Sequence, residues 1–124
     1  MEHEKLTETI IGCAYTVYNT LGFGFLESVY EKALIIELNK AGLSLQSQEP
    51  IKVYYANEIV GNFVSDIVVE GAVILELKSI RNLAIAHEVQ LVNYLVATRI
   101  DIGLLINFAP DNVVIKRKYR ETNF

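Results

Sequence analysis

A carboxylate and an ammonium lie one residue apart, as Glu76 and Lys78, inside the apolar stretch ILELKSI (74–80). Such a run reads as a buried β-strand, where charge is found only when it is paired or has a task. Strand alternation places Glu76 and Lys78 on one face and Leu75 and Leu77 on the other. A second carboxylate comes just before them. SDIVVEGAVILELKS (65–79) reads as a hairpin turning at Glu70 and Gly71. A three-residue loop centred on Gly71 sets Asp66 opposite Glu76, on the same face; a two-residue turn would offset the pairing by one.

Two carboxylates so close repel, and one pKa rises unless a cation lies between them. Lys78 is one candidate cation. A divalent metal fits better, because a hard cation prefers oxygen ligands. The bland alternative is a salt bridge on a sheet face, worth about 0–1 kcal/mol when exposed. The strongly apolar flanks count against it, since burying unpaired charge costs roughly several kcal/mol.

The surrounding elements must position this group. Residues 7–21 are expected to be helical, with Ile10, Ala14, Val17 and Leu21 at three- and four-residue spacing. GFG (22–24) breaks the pattern. A second helix is expected over about 25–41, with a stripe of Leu26, Val29, Tyr30, Ala33, Leu34 and Leu38, and Gly42 at its end. Strands are expected at 43–56, 59–70 and 72–79, with turns at 56–58 and 70–71. Helical period returns at 85–98. Strands at 101–108 and 113–119 then flank the turn APDN. The order ααβββαββ implies an α/β or α+β domain with one mixed sheet and helices against it, spanning 1–124.

With these elements in place, the sequence resembles a known family. GFLESVY (24–30) resembles the G-x-x-E-x-x-Y signature of the GxxExxY protein family. Asp66 followed by ELK (76–78) resembles the motif core of the PD-(D/E)XK nuclease superfamily, in which that family is placed. HEVQLVNYL (87–95) resembles the following helix, which carries Q-x-x-x-Y in many such nucleases. The first strand motif reads SD where the superfamily name has PD. The resemblance covers about residues 5 to 120 and implies a restriction-endonuclease-like core. It implies that Glu27, Asp66, Glu76 and the backbone carbonyl of Leu77 hold Mg²⁺ or Mn²⁺, and that Lys78 orients or deprotonates the attacking water. It further implies that Gln90 and Tyr94, one helical turn apart, face the same cleft. The implied chemistry is metal-assisted hydrolysis of a phosphodiester.

Other residues have simpler readings beside the functional one. Glu27 suits a helix N-terminus through the dipole. Tyr30 reads as a packing residue with its hydroxyl near the cleft. His87 reads as a cap or surface residue within one turn of Gln90, in reach of a substrate phosphate. Lys116, Lys118 and Arg120 alternate on one face of KRKYR (116–120), either as charges protecting an edge strand or as a phosphate-binding strip.

Composition bounds the function. The 124 residues include 52% apolar residues, enough for a sizeable core. The net charge of −4 argues against a protein that coats nucleic acid, but not against an enzyme whose acidic site holds a cation. No run approaches the ~20 apolar residues of a membrane helix, and MEHEKLTE is followed by no signal-peptide pattern. A cytoplasmic protein without a membrane partner or organic cofactor is expected. Cys13 is the only cysteine, so no internal disulfide can form. The leading expectation is a metal-dependent nuclease acting on DNA or RNA. The alternative is a non-catalytic module that keeps the nuclease fold and binds nucleic acid or protein. A third is an assembly subunit, with a sheet edge pairing across a homodimer.

Overall fold

The computed structural model describes residues 3–120. The outermost residues of the expected 1–124 domain lie outside it. The elements are α1 (His3–Leu21), α2 (Glu27–Lys40), β1 (Leu45–Tyr55), β2 (Glu58–Val69), β3 (Val73–Lys78), α3 (Ile85–Thr98), β4 (Ile102–Phe108) and β5 (Val113–Tyr119). One five-stranded sheet runs β1-β2-β3-β4-β5. Only β3 and β4 are parallel, and α3 makes the crossover between them. This is the mixed α+β architecture expected from the order of elements.

Alternation along the strands divides the core in two. Leu75, Leu77, Leu104 and Ile106 face α1 and α2, where Ile10, Ala14, Leu34 and Leu38 meet them. Val68, Ile74 and Leu105 face α3, against Leu91, Tyr94 and Leu95. By the same alternation Asp66, Glu76 and Lys78 belong to the α3 side of the sheet.

The first helix starts at His3 rather than near residue 7, because Leu6 lies on its buried stripe with Ile10 and Ala14. Leu26 departs from the expected stripe. It is the N-cap of α2, ahead of the first helical turn, and is 77% exposed. The helix ends where Gly42 adopts φ +80°, with the Leu43 N–H donating to the Leu38 carbonyl. That backbone suits glycine and closes the helix as a left-handed cap.

The β2–β3 loop is Glu70-Gly71-Ala72, since Val69 pairs with Val73 and Ile67 with Leu75. This is the three-residue register that sets Asp66 opposite Glu76. The β1–β2 hairpin turns at Ala56 and Asn57, with φ of 50° and 66°, and pairs from Leu45–Val69 to Tyr55–Glu58 with an interruption at Gln48 and a register shift between Val53 and Tyr54. Its β2 strand pairs with β3 only over Ile67–Val69, so the outer half of the hairpin projects past β3.

Candidate active site

The candidate site forms where β2 and β3 part. Backbone pairing ends at Ile67 and Leu75. One residue further, side chains replace the missing carbonyl acceptors. The Asp66 N–H donates to Glu76 Oε2 at 3.0 Å. The Leu77 N–H donates to Asp66 Oδ2 at 2.8 Å. Each carboxylate is thus held by the other strand's backbone, and two buried N–H groups that lost their ladder are satisfied.

The pair is electrostatically tense. Glu76 is only 8% exposed. Burial, and then the charge of Asp66, push its carboxyl up to about 8. The Asp66 N–H and the Lys78 ammonium pull the other way, and Glu27 adds a small upward push. Tyr94, across the face on α3, has its phenol raised by burial and by the charges of Glu76 and Asp66. These four side chains therefore lie within electrostatic reach of Glu76 or its partner.

Lys78 is half-buried beside Asn107 of β4. Among the described residues no salt bridge joins it to either carboxylate. The ordinary ion pair weighed as the bland alternative is not formed, and the ammonium remains available to another group. Asn107 is a part of this region that the sequence reading passed over. It is buried in an otherwise apolar strand, accepts from the Ile80 N–H at 3.0 Å and donates to the Ile80 carbonyl at 2.9 Å. Those bonds hold the chain just after Lys78. A lone polar residue in IGLLINF was the signal that could have found it.

Glu27 is exposed at the first turn of α2. Its helix is tied to the end of β3 by the Ser79 hydroxyl, which donates to the Phe25 carbonyl at 3.0 Å. Tyr30 is corrected. It is wholly buried, stacks on Phe108 with ring centroids 4.3 Å apart, and donates its hydroxyl to the Gly22 carbonyl. It pins the turn before α2 from within the core and is no part of the cleft. The reason is helical phase: Tyr30 shares the buried stripe with Leu34 and Leu38.

On α3, His87 caps its own helix, its Nδ1 accepting from the Ala84 N–H at 3.0 Å. Gln90 and Tyr94 share one groove wall, Gln90 exposed and Tyr94 buried. The basic strip on β5 is mostly engaged. Lys118 bridges to Glu88 of α3 at 3.1 Å and Arg120 to Asp101 at 2.7 Å, while Lys116 is exposed. As a row of free phosphate ligands the strip is therefore reduced to Lys116, because acids on α3 and ahead of β4 neutralise its two neighbours.

Among the described residues no three His, Cys, Asp or Glu side chains are gathered closely enough to hold a metal ion by themselves. The donors that are gathered, Asp66 and Glu76, are all-oxygen and carry an excess of negative potential. That set fits Mg²⁺ or Mn²⁺, since magnesium keeps several waters and uses one or two carboxylates plus substrate phosphates. It does not fit zinc, which favours Cys and His.

A family model described as the PD-(D/E)XK nuclease superfamily matches residues 4–120. A search of curated proteins finds no match. Among solved structures, one described as "Crystal structure of SSO0001" superposes with a TM-score of 0.62 at 15% identity. The superposition covers 77% of this chain and 50% of that one, so this chain spans half the length of the solved protein. At that identity the likeness is one of fold. Among the described residues no helix is long and apolar enough to cross a membrane.

Proposed function

The chain belongs to the PD-(D/E)XK nuclease superfamily, and from that premise we propose that it is a metal-dependent nuclease that hydrolyses phosphodiester bonds of DNA or RNA. The observation that carries this reading is the Asp66–Glu76 pair, locked by reciprocal backbone bonds at the strand divergence, with an unbridged Lys78 next along the same face. Asp66 and Glu76 would hold Mg²⁺ or Mn²⁺, with the Leu77 carbonyl and the Glu27 carboxylate completing the protein's share. When bound, such an ion lowers the pKa of a coordinated water and stabilises charge on the phosphoryl oxygens. Lys78 holds and orients the attacking water and offsets charge at the scissile phosphate. Tyr94 closes the far side of the acidic pair. The motif GFLESVY is read as the GxxExxY subfamily mark, with Glu27 as its functional member.

Purified protein with Mn²⁺ should nick or degrade a nucleic acid, and Glu76→Ala should not. Equal activity in the variant would identify a contaminant and remove the assignment.

A second reading is a non-catalytic module that retains the fold and binds nucleic acid or protein. The absence of a three-acid cluster among the described residues favours it. Calorimetric titration of Mn²⁺ into wild type and Asp66→Ala separates the two. Saturable heat that disappears in the variant supports the enzyme, and no heat in either supports the module.

A further inference from the structure

A groove of about 950 Å³ runs between α3 and the projecting β1–β2 hairpin. Tyr94 and Phe63 lie in its wall, and Phe63 precedes Asp66 by three residues on β2, so the groove ends near the acidic pair. Phe63 leans on Tyr94 with ring centroids 5.7 Å apart and is still 43% exposed. Gly61 makes room for that ring: a Cβ there would stand 2.9 Å from it. Tyr54, on the opposite strand, is 61% exposed. Such aromatic surface is not needed for the core, and it faces an opening whose other wall is mostly apolar, with Ile85, Val89 and Val96, and carries Gln90 and Asn93 as polar members.

The charge of the lining is one-sided. The chain carries 15 acidic and 11 basic residues. Yet the groove is lined by Lys52 and Arg99 and by no Asp or Glu. Among the described residues neither cation is in a salt bridge. Arg99 is held in the left-handed conformation that ends α3, its N–H donating to the Leu95 carbonyl at 2.9 Å.

We propose that this groove docks a single-stranded segment of nucleic acid, with bases stacked on Phe63 and Tyr54 and phosphates on Lys52 and Arg99, and leads that strand to the Asp66–Glu76 pair. The aromatic faces select single strands. A duplex keeps its base faces stacked inside and offers the protein only edges and phosphates, whereas an unpaired strand offers a π-face to each ring. The acid-free lining with its two cations favours an anionic ligand over a basic one, and the exposed rings favour an anion that carries bases over an acidic peptide. The inference rests on the nuclease reading for its direction towards the acids, while binding itself needs no metal.

The test is fluorescence anisotropy in EDTA, with a short labelled oligothymidylate and a hairpin duplex of the same length as probes. The single strand should bind more tightly than the duplex. Phe63→Ala should weaken it by roughly tenfold or more, as loss of a stacking platform does. Tyr54→Ala, at a more exposed site, guards against a folding defect in the first variant and should also weaken binding. Arg99→Gln should lower the slope of log affinity against log salt by about 0.7. Equal affinity for both probes, or no effect of either aromatic substitution, would overturn the proposal. So would a concentration-dependent dimer in sedimentation that Phe63→Ala dissociates, since the groove would then seat a second copy. Single-strand binding lost in the aromatic variants, with no Mn²⁺-dependent cleavage in wild type, supports the groove while removing the hydrolytic reading.

Discussion

The two faces of the sheet are built from the same strands and serve different ends. Against α1 and α2 the apolar layer is continuous and closes around the Tyr30–Phe108 stack. Against α3 the apolar layer is a smaller cluster around Leu91 and Leu95. It gives way to the charged group Asp66, Glu76 and Lys78 and to the groove walled by Tyr94 and Phe63. The lesson lies in β2 and β3. While they pair, at Ile67–Val69, both faces are apolar. Where they part, backbone N–H groups become available to carboxylates, and the α3 face acquires charge. Stability should therefore respond mainly to one face and activity to the other.

The sharpest attempt to break that division is Lys78→Met. Loss of a positioned proton-transfer group costs typically ~10²–10⁴ in rate. Hydrolysis should fall by that order, while Mn²⁺ affinity and the apo melting temperature change little, because the carboxylates and the core remain. Paired thermal melts and cleavage assays, with and without Mn²⁺, read both quantities. A drop of several kcal/mol in apo stability with unchanged cleavage would make the lysine a structural counter-ion and move it to the stability side.

Tyr30→Ala tests the opposite face. Removing a fully buried aromatic costs about 3–5 kcal/mol. Chemical denaturation should show a loss of that order, and whatever fraction stays folded should retain its metal affinity. Weakened Mn²⁺ binding in the folded fraction would couple the faces through the turn before α2.

The next effect is one of pH. Glu76 has its folded pKa raised from 4.5 to about 8. Between those values the folded state holds a proton that the unfolded state has released, so the contribution is complete below about 4.5 and is lost as pH rises through about 8. Apo stability should therefore decline across that window, by an amount on the order of a few kcal/mol. Glu76→Gln should flatten the decline, and Mn²⁺ should offset it in wild type by binding the ionised pair. Denaturant titrations at pH steps across the window measure the slope. A flat wild-type profile would mean the pair is relaxed without a cation.

The smallest effect belongs to Lys118→Ala. The bridge to Glu88 is partly exposed, and such pairs contribute at most about 1 kcal/mol. A shift within that bound is expected in denaturation, with no change in cleavage. A large loss of activity would restore the β5 strip as a phosphate-binding element.

The residues at the strand divergence also show what could be read in advance. Helical period, strand composition and turn residues together located the eight elements, since all three are local properties of the chain. Gly71 marked the hairpin turn in advance, but the meeting of Asp66 and Glu76 was conditional on a three-residue loop, which the pairing of Val69 with Val73 supplies. The capping role of His87 was likewise legible from its place at the head of α3.

Other outcomes depended on elements distant in sequence. Tyr30 was legible as part of the α2 stripe, but its stacking partner, Phe108, lies 78 positions along the chain by numbering. Lys118 and Arg120 looked like free cations until α3 and the segment before β4 supplied Glu88 and Asp101. The groove could not be read from any segment, because its walls come from β1, β2 and α3 and exist only once the hairpin projects past β3. Sequence by itself determined which residues repeat, turn and carry charge, since these follow from neighbours along the chain. Tertiary structure decided which charges are buried, paired or left free, because desolvation and Coulomb energy depend on distances that only packing sets.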